Sequence, residues 1–157
     1  MYCYQDSRKD TRTALVEFTF LGYTFRPRRV VTRHGRLRTS FVPAVSKSAK
    51  KHMAEEIRGW RLGRRTDLSF GEVATKVNRI VAGWINYYGR FYKSMLYPLL
   101  RRINDHLVRW AMRKYKRLRG HYGRAVRWLV GVSQRAPGLF AHWRVGVRPD
   151  GWTVGAR

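Results

Sequence analysis

The sequence predicts an α+β protein that is mostly α, with a small N-terminal antiparallel β region, a bundle of three long helices and a short C-terminal helical segment. Two observations lead to this prediction. Apolar residues alternate with polar ones in the first 42 residues, and from Pro43 onward they recur at the three- and four-residue spacing of amphipathic helices. Apolar residues also make up 44% of the chain, which is enough to bury a core and disfavours a disordered basic chain.

The β region is expected at residues 1–42. Phe18 and Phe20 alternate with polar neighbours, as in a strand with one buried face. Residues 33–36, Arg-His-Gly-Arg, are typical of a turn between two extended segments. Cys3, expected in a strand, is the single cysteine; it excludes a disulfide framework and a multi-cysteine zinc site, and agrees with a reducing compartment.

The helical pattern begins at Pro43, and the first helix is expected to end at Gly63, where a basic loop opens. The second helix has the clearest start in the chain, because Ser69 and Glu72 form a capping box. Two glycines weaken its later turns by up to about 1 kcal/mol each relative to Ala. A bend is therefore allowed at residues 78–83.

The remaining helices complete the expected organisation. A third long helix is predicted at about residues 95–118, and a short one around residues 124–132. The chain is thereby divided into the β region at 1–42, a helical domain at 43–119 and a C-terminal extension at 120–157, which carries the short helix and ends in a frayed tail.

The charge of the chain predicts a polyanionic partner. The sequence has 34 Lys and Arg against 9 Asp and Glu, a formal charge of +25. Arg outnumbers Lys by 26 to 8, and the guanidinium group binds phosphate in a bidentate manner and stacks on bases. Most of these cations lack an acidic partner, so their mutual repulsion weakens the fold unless a polyanion binds. RNA is the first candidate.

The acidic residues and histidines are too scattered to predict catalysis or metal binding. Two-metal nucleotidyl transfer needs two or three convergent carboxylates, whereas only Glu55 and Glu56 are adjacent here, and neighbours on a helix point in different directions. The five histidines are far apart, and no phosphate-binding loop, zinc-protease helix or nucleophile elbow occurs. We therefore predict no cofactor and no metal site.

No membrane span is predicted either, because no apolar run approaches the roughly 20 residues that a bilayer requires. The N-terminal residues are charged and lack the apolar block of a secretory signal. A cytoplasmic protein of bacterial type is expected, with an organelle as the alternative.

Three segments together resemble a known family. They are FLGYTFRPR at residues 20–28, GWINYYG at residues 83–89 and RWAMRKY at residues 109–115. In order and spacing they are similar to the C-terminal part of group II intron reverse transcriptase/maturases, over nearly the whole chain. The resemblance implies that the β region corresponds to the end of a polymerase palm, near the primer-contacting hairpin. It also implies that the helices form a thumb-like maturase domain that binds intron RNA.

The sequence departs from that family in three ways. It has no adjacent Asp-Asp pair, so the Tyr-x-Asp-Asp polymerase motif is missing, and we expect a fragment that does not polymerise DNA by itself. One cysteine cannot supply the Cys-rich nuclease module that many relatives carry. Arg79 follows Asn78 where the family often has proline, and an arginine there allows the helix to continue.

The candidate RNA-binding residues are basic side chains on helix surfaces and in loops, together with two at the end of the β region. They are Arg26, Arg28, Lys47, Lys50, Lys51, Arg58, Arg61, Arg64, Arg65, Lys76, Arg79, Arg90, Arg113, Lys114, Lys116, Arg117 and Arg119. The resemblance further implies that Phe20, Leu21, Gly22 and Tyr23 approach the 3′ end of a nucleic acid. The alternative for these four residues is a strand with a glycine bulge.

Two pairs of aromatic residues on the second helix have different expected roles. Trp84 and Tyr88 have a functional interpretation as a surface for RNA bases, but their i, i+4 spacing continues the apolar stripe and favours core packing. Tyr87 and Tyr92 are expected to be the more exposed aromatics.

Four functions follow from these observations, in order of preference. The first is a non-enzymatic RNA-binding domain that helps a group II intron fold and splice. The second is the thumb fragment of a split or truncated reverse transcriptase, and the third is a generic basic nucleic-acid-binding remnant. A membrane-surface protein is disfavoured by the capped helix and the distributed apolar residues. The expected partner is structured RNA of a group II intron, with DNA and a separate palm-containing chain as further candidates.

Overall fold

A computed structural model of the chain describes residues 17–151. Residues 1–16, with Cys3, and residues 152–157 lie outside the described part, so the predictions made for them are not tested. The elements in chain order are β1 (Phe18–Phe20), β2 (Tyr23–Val31), β3 (Leu37–Val45), α1 (Lys47–Gly59), α2 (Phe70–Tyr92), α3 (Tyr97–Lys114), α4 (Tyr122–Arg135) and α5 (Ala141–Arg144). The predicted fold class, α+β and mostly α, is confirmed. The division at residues 42 and 119 stays a prediction.

The three strands form one antiparallel sheet in the order β1-β2-β3. Side chains alternate between the two faces of a strand, and the register places unlike residues on the two sides. The apolar face carries Phe18, Phe20, Phe25, Val31, Leu37 and Phe41. The basic face carries Arg26, Arg28 and Arg38, with Thr32 and Arg36 at the end of the hairpin. The sheet is therefore amphipathic, with the aromatic rings on one side and most of its arginines on the other; Arg29, opposite Thr39, is the exception and lies on the apolar face.

The turn between β1 and β2 corrects one expectation. Phe20 pairs with Tyr23, so Leu21 and Gly22 form a two-residue hairpin turn rather than a glycine bulge within a strand. Both residues have left-handed backbone angles, with φ of 48° and 78°, as the tightest hairpin turns require. A side chain at Gly22 would also place its Cβ 2.7 Å from the hydroxyl oxygen of Tyr88, so glycine is required there.

Helix α2 begins as the sequence predicts. The Ser69 hydroxyl accepts the Glu72 N–H, and the Glu72 carboxylate accepts the Ser69 N–H at 2.7 Å. Hydrogen bonds from Ser69 lower the pKa of Glu72. The helix does not break at residues 78–83 and is continuous to Tyr92; Arg79 supplies the backbone N–H that a proline would lack.

Helix α3 lies at the centre of the molecule. Its inward side chains Leu100, Ile103, Leu107 and Trp110 are completely buried. The helix is shorter at both ends than the predicted span, because residues before Tyr97 and after Tyr115 form tighter 3-10 turns, Lys93–Leu96 and Lys116–Leu118. Helix α4 is longer than predicted and packs against α3.

Two side-chain amides, one half-buried and one buried, attach the C-terminal segment to the helices. Asn78 of α2 donates to the Leu139 carbonyl at 2.8 Å and accepts the Ala141 N–H at 2.7 Å. Asn104 of α3 accepts hydrogen bonds from the side chains of His142 and Trp143, both at 2.9 Å. The segment around α5 therefore belongs to the same core as the long helices.

Candidate nucleic-acid interface

Most of the cations have no acidic partner. Among the lysines and arginines of residues 17–151, only Arg26 and Arg65 form ion pairs, with Glu17 at 3.8 Å and Asp67 at 3.1 Å. Both pairs lie at the surface, where water screens them. The positive charge that the composition predicts is therefore left at the surface, available to a polyanion.

A set of basic residues converges where α1 ends and α3 ends, and we call it the arginine cluster: Arg58, Arg61, Arg64 and Arg113. The Arg61 N–H donates to the Arg58 carbonyl at 3.2 Å, and the Arg64 N–H donates to the Arg61 carbonyl at 2.8 Å. Arg113 donates from its guanidinium to the Gly63 carbonyl at 3.2 Å. All four side chains are exposed, and three consecutive turns of backbone hold them in place.

Two of the predicted residues have structural roles. The Lys114 ammonium donates to the carbonyls of Thr66 and Leu68 at 2.6 and 2.9 Å and is half-buried. Arg65 binds Asp67, and this hydrogen bond lowers the pKa of the Asp67 carboxyl. Both side chains therefore stabilise the loop between α1 and α2, and their polar groups are already engaged within the protein.

A buried aromatic side chain of α3 also holds this loop in place. Trp110 of α3 is completely buried, and its indole N–H donates to the Arg65 carbonyl at 2.9 Å. With Arg113 and Lys114, this gives the loop three supports from one turn of α3. Because these supports bind backbone carbonyls of the loop, they do not engage the side chains of Arg61 and Arg64, which are exposed.

The other predicted basic residues lie in separate patches. Exposed Lys47 and Lys51, with half-buried Lys50, lie on the first turns of α1, about 10 to 16 Å along the helix from Arg58. Lys76, Arg79 and Arg90 are exposed on α2, and their spacing places them on one side of that helix. Lys116, Arg117 and Arg119 are exposed just after α3 and extend the arginine cluster, because Lys116 is only three residues from Arg113.

Residues of the β2–β3 hairpin add basic groups that the sequence analysis did not select. Arg29, Arg33, Arg36 and Arg38 are all exposed, and no ion pair involves them within the described part of the chain. A signal for them exists in the sequence, because residues 18–45 contain six arginines and no acidic residue. The two arginines that were selected there are less free: Arg26 binds Glu17, and Arg28 donates to the Val42 carbonyl at 3.2 Å.

The expected core packing of Trp84 and Tyr88 is confirmed. Trp84 stacks on Trp60 with ring centroids 6.0 Å apart, and Tyr88 contacts the ring of Tyr23 at 5.5 Å. Tyr87 is 47% exposed, as expected. The expectation for Tyr92 is wrong, because its ring is half-buried, with the Arg28 guanidinium 5.7 Å from its centroid.

In the segment of residues 20–23, two side chains are exposed and one is buried. Phe20 and Leu21 are exposed by 62% and 68%, whereas Tyr23 is buried and donates its hydroxyl to the Tyr87 carbonyl. Burial, and then the neighbouring tyrosines, raise the pKa of Tyr23. The Tyr87 hydroxyl donates to the Leu21 carbonyl at 3.1 Å. Helix α2 therefore fixes a strained turn that presents two apolar side chains to solvent.

Comparison with known protein families shows to which family the chain belongs. The sequence model of the family described as "Group II intron, maturase-specific domain" matches residues 50–128, which is half of the chain. The chain belongs to this family. The matched span runs from the first turn of α1 into α4 and contains the whole arginine cluster. No curated protein and no solved structure matches the chain.

Membership of the maturase-specific family confirms the resemblance to group II intron maturases and places the protein in group II intron splicing; two of the three segments, at residues 83–89 and 109–115, lie within the matched span. Two further findings concern residues 17–151 alone. No helix there is both long and apolar enough to span a bilayer, and no three His, Cys, Asp or Glu side chains converge into a metal-binding group.

Proposed function

We propose that this maturase domain binds the structured RNA of a group II intron and assists its folding and splicing as a non-enzymatic partner. The observation that supports the proposal best is the arginine cluster, which is exposed, free of acidic partners and lies within the family-matched span. Guanidinium groups bind phosphate oxygens in pairs, so a fixed group of them is suited to a site where RNA strands come close together.

The physical role of such a site is to relieve repulsion between phosphates. A folded intron brings backbone segments together, and each close approach is opposed by their negative charge. A-form RNA hides its bases in a deep, narrow major groove, so recognition proceeds through the backbone, the shape and unpaired bases. A rigid protein surface with fixed cations favours the folded RNA over the many extended conformations, in which fewer phosphates match the cation positions.

The proposed interface comprises the arginine cluster, the residues that extend it after α3, and the exposed lysines and arginines of α1 and α2. Lys114 and Arg65 belong to it as supports of the loop. Phe20 and Leu21 are exposed beside the cationic surface and are suited to contact an unpaired base or a nucleic-acid end. DNA carries the same phosphate groups and remains a candidate ligand for the same surface.

The proposal includes no polymerase activity for this chain. Nucleotidyl transfer requires carboxylates that converge on two metal ions, and no two aspartates are adjacent in the sequence. The adjacent pair Glu55 and Glu56 is otherwise engaged: Glu55 lies 3.8 Å from His52, and Glu56 accepts the Trp60 indole N–H at 3.2 Å. An RNA-directed DNA polymerase assay with primer and template is expected to give no product.

Binding assays across a salt series test the proposal. The wild-type protein is titrated against a folded group II intron RNA and against an unstructured RNA of equal length. Both bind at low salt, because counterion release does not depend on sequence. We expect a preference for the intron that persists at physiological salt, and stimulation of splicing at low magnesium. Equal affinities for the two RNAs at physiological salt would instead identify a generic nucleic-acid-binding remnant.

A pair of double variants locates the interface. Arg61→Gln with Arg64→Gln removes two charges from the arginine cluster, and Arg101→Gln with Arg102→Gln removes the same charge from an exposed part of α3 outside it. We expect the first variant to reduce the slope of log affinity against log salt by roughly 1 to 2. Equal effects of the two variants would remove the arginine cluster from the interface.

A second candidate function, the thumb of a split reverse transcriptase, is favoured by the apolar face of the sheet. Phe18 and Phe20 are exposed by 39% and 62% on that face, and Leu37 by 67%. A separate palm-containing chain would cover such a surface. Co-expression with a fingers–palm chain, followed by size-exclusion chromatography, tests it: a stable complex that Phe20→Ser with Leu37→Ser dissociates supports the split enzyme, and separate elution contradicts it.

A further inference from the structure

The β2–β3 hairpin projects away from the helical core. Its side chains contact the helices near the base: Tyr23 is buried against α2, Val45 at the end of β3 belongs to the core, and Arg28 lies over the Tyr92 ring. Residues 33–40 are all exposed. The three residues of β2 beyond Arg28 add about 10 Å of extended chain before the loop begins. The end of the hairpin therefore lies in solvent, and only the base of the hairpin is attached to the helices.

The loop that closes the hairpin is well defined. The Thr32 N–H donates to the Arg36 carbonyl and the Gly35 N–H to the Thr32 carbonyl, both at 2.9 Å, and the Arg36 N–H also reaches the Thr32 hydroxyl at 3.2 Å. Gly35 has a φ of 73°, the left-handed conformation that three-residue hairpin loops use at this position. These bonds fix the relative positions of the side chains on either side of the loop.

Four side chains at this end form a basic concavity, which we call the hairpin site: Thr32, His34, Arg36 and Arg38. They line an open cavity of about 540 Å³. The set provides two guanidinium groups, a hydroxyl and an imidazole, all of which can donate hydrogen bonds to phosphate oxygens. No acidic residue occurs between residues 18 and 45, so no carboxylate in that span competes for these donors.

The charge of the hairpin increases from its base to its tip. At the base, Arg26 is paired with Glu17 and Arg28 is engaged by a carbonyl and a ring. Burial, and then the neighbouring Arg26, lower the pKa of Arg28. At the tip, Arg36 and Arg38 have no such partners within the described residues. The strongest uncompensated charge of the sheet therefore lies at its far end, about 30 Å from the start of β2.

We infer that the hairpin site is a second RNA-binding site, separate from the arginine cluster, which binds the phosphate backbone of the intron RNA without reading its sequence. The inference rests on the proposed function and names an additional surface for it. The tip carries no Phe, Tyr or Trp as a stacking platform for bases, and its hydroxyl and guanidinium groups are donors suited to phosphate oxygens, so we assign the contact to phosphates. The apolar face of the same hairpin points the other way and leaves the basic face free.

The test uses the full chain and three double variants, each of which removes two positive charges. Arg36→Gln with Arg38→Gln changes the hairpin site, Arg61→Gln with Arg64→Gln changes the arginine cluster, and Arg101→Gln with Arg102→Gln is the charge-matched control. The probes are a folded group II intron RNA and an unstructured RNA of equal length. Thermal unfolding confirms that each variant is folded, which is expected because all six side chains are exposed.

We expect the hairpin variant to lose about tenfold in affinity for both RNAs at physiological salt and to reduce the salt slope by roughly 1 to 2, well beyond the control. Because the contact is to phosphates, the loss is expected to be similar for the two RNAs. A hairpin variant that matches the control in affinity and slope overturns the inference.

The outcomes separate this inference from the proposed function. If the wild-type protein shows no preference for the intron, the proposed function fails, while a specific loss of slope in the hairpin variant still establishes the hairpin site. If the preference is present and the hairpin variant matches the control variant in affinity and salt slope, the proposed function holds and the hairpin site is rejected. A wild-type protein that binds neither RNA rejects both.

Discussion

The helical core and the β2–β3 hairpin differ in what their residues contribute. In the core, side chains such as Leu100, Ile103 and Phe140 are completely buried, and even a lysine, Lys114, is used to support a loop. In the distal hairpin nearly every side chain is exposed, and its arginines form no ion pair with any residue of the part that the structure describes. The core thus provides stability and the hairpin provides charge, and the two can be changed independently.

The largest expected contrast comes from one substitution made in both regions. Phe140→Ala removes a completely buried ring that contacts Phe70 and Trp143, and is expected to lower the free energy of unfolding by about 3–5 kcal/mol. Phe20→Ala removes a ring that is 62% exposed and is expected to change it by about 0.5 kcal/mol or less. Urea denaturation followed by circular dichroism measures both. Similar losses for the two variants would mean that the sheet and helices share one core.

A smaller contrast separates the base of the sheet from its tip. Gly22→Ala combines a left-handed backbone with a Cβ 2.7 Å from the Tyr88 hydroxyl, and is expected to cost about 2–4 kcal/mol. Gly35→Ala has the same backbone requirement, with φ of 73°, but no atom lies within 4 Å of the new Cβ. Its expected cost is about 1–2 kcal/mol, confined to the loop.

The difference in unfolding free energy between these two glycine variants measures the effect of the close contact between Gly22 and Tyr88 of α2. Hydrogen exchange of the hairpin amides distinguishes local loosening of the loop from loss of the sheet's attachment to the helices. Equal destabilisation by Gly22→Ala and Gly35→Ala would show that the backbone angle alone, without Tyr88, determines the requirement for glycine at the base.

Local signals in the sequence were sufficient to predict where helix α2 begins and which of its positions are buried. The capping box at Ser69 and Glu72 identified the start of α2 because both partners lie within one turn. The stripe that included Trp84 and Tyr88 identified buried positions because helical periodicity is a property of the segment itself. Fold class could be predicted for the same reason.

Contacts between distant segments could not be predicted in this way. A strand with a glycine bulge was one of the two alternatives for residues 20–23, and the hairpin turn at Leu21–Gly22 was not foreseen, since it depends on the register of β1 against β2. Nothing in the sequence showed that Lys114 would bind the carbonyls of Thr66 and Leu68, 46 and more residues away. A basic residue on a predicted helix surface is therefore a poor guide to which cations are free. The hairpin arginines were missed although the sequence marks them, because residues 18–45 contain six arginines and no acidic residue.

The core also contains a titratable group, which predicts a pH dependence of its stability. His142 is completely buried; its Nε2 lies 2.9 Å from the Asn104 carbonyl oxygen, and its Nδ1 has no hydrogen-bond partner. Burial lowers the pKa of His142 from 6.5 to about 3. Below pH 6.5 the unfolded chain therefore binds a proton that the folded chain does not, and stability falls. The contribution is complete above pH 6.5, and about 2 kcal/mol is lost by pH 5.

A non-titrating variant isolates this effect. His142→Gln keeps an N–H that can donate to Asn104 but removes the proton-binding group, so its unfolding free energy is expected to vary less between pH 4 and pH 6.5. The pKa of His106 is also lowered, by burial and then by Arg109, and its contribution cancels in the difference between wild type and variant. Parallel pH profiles for the two proteins would assign the acid sensitivity to other groups.

The smallest expected effect on stability belongs to the hairpin arginines. Arg36→Gln with Arg38→Gln is expected to change the free energy of unfolding by about 0.5 kcal/mol or less, because neither side chain has an ion-pair partner to lose. Any change should be a slight stabilisation at low salt, since two mutually repelling charges are removed from a chain of net charge +25. Denaturation at low and high salt measures this. A clear destabilisation would show that these arginines hold the hairpin together, in which case their role in binding RNA could not be separated from their role in the fold.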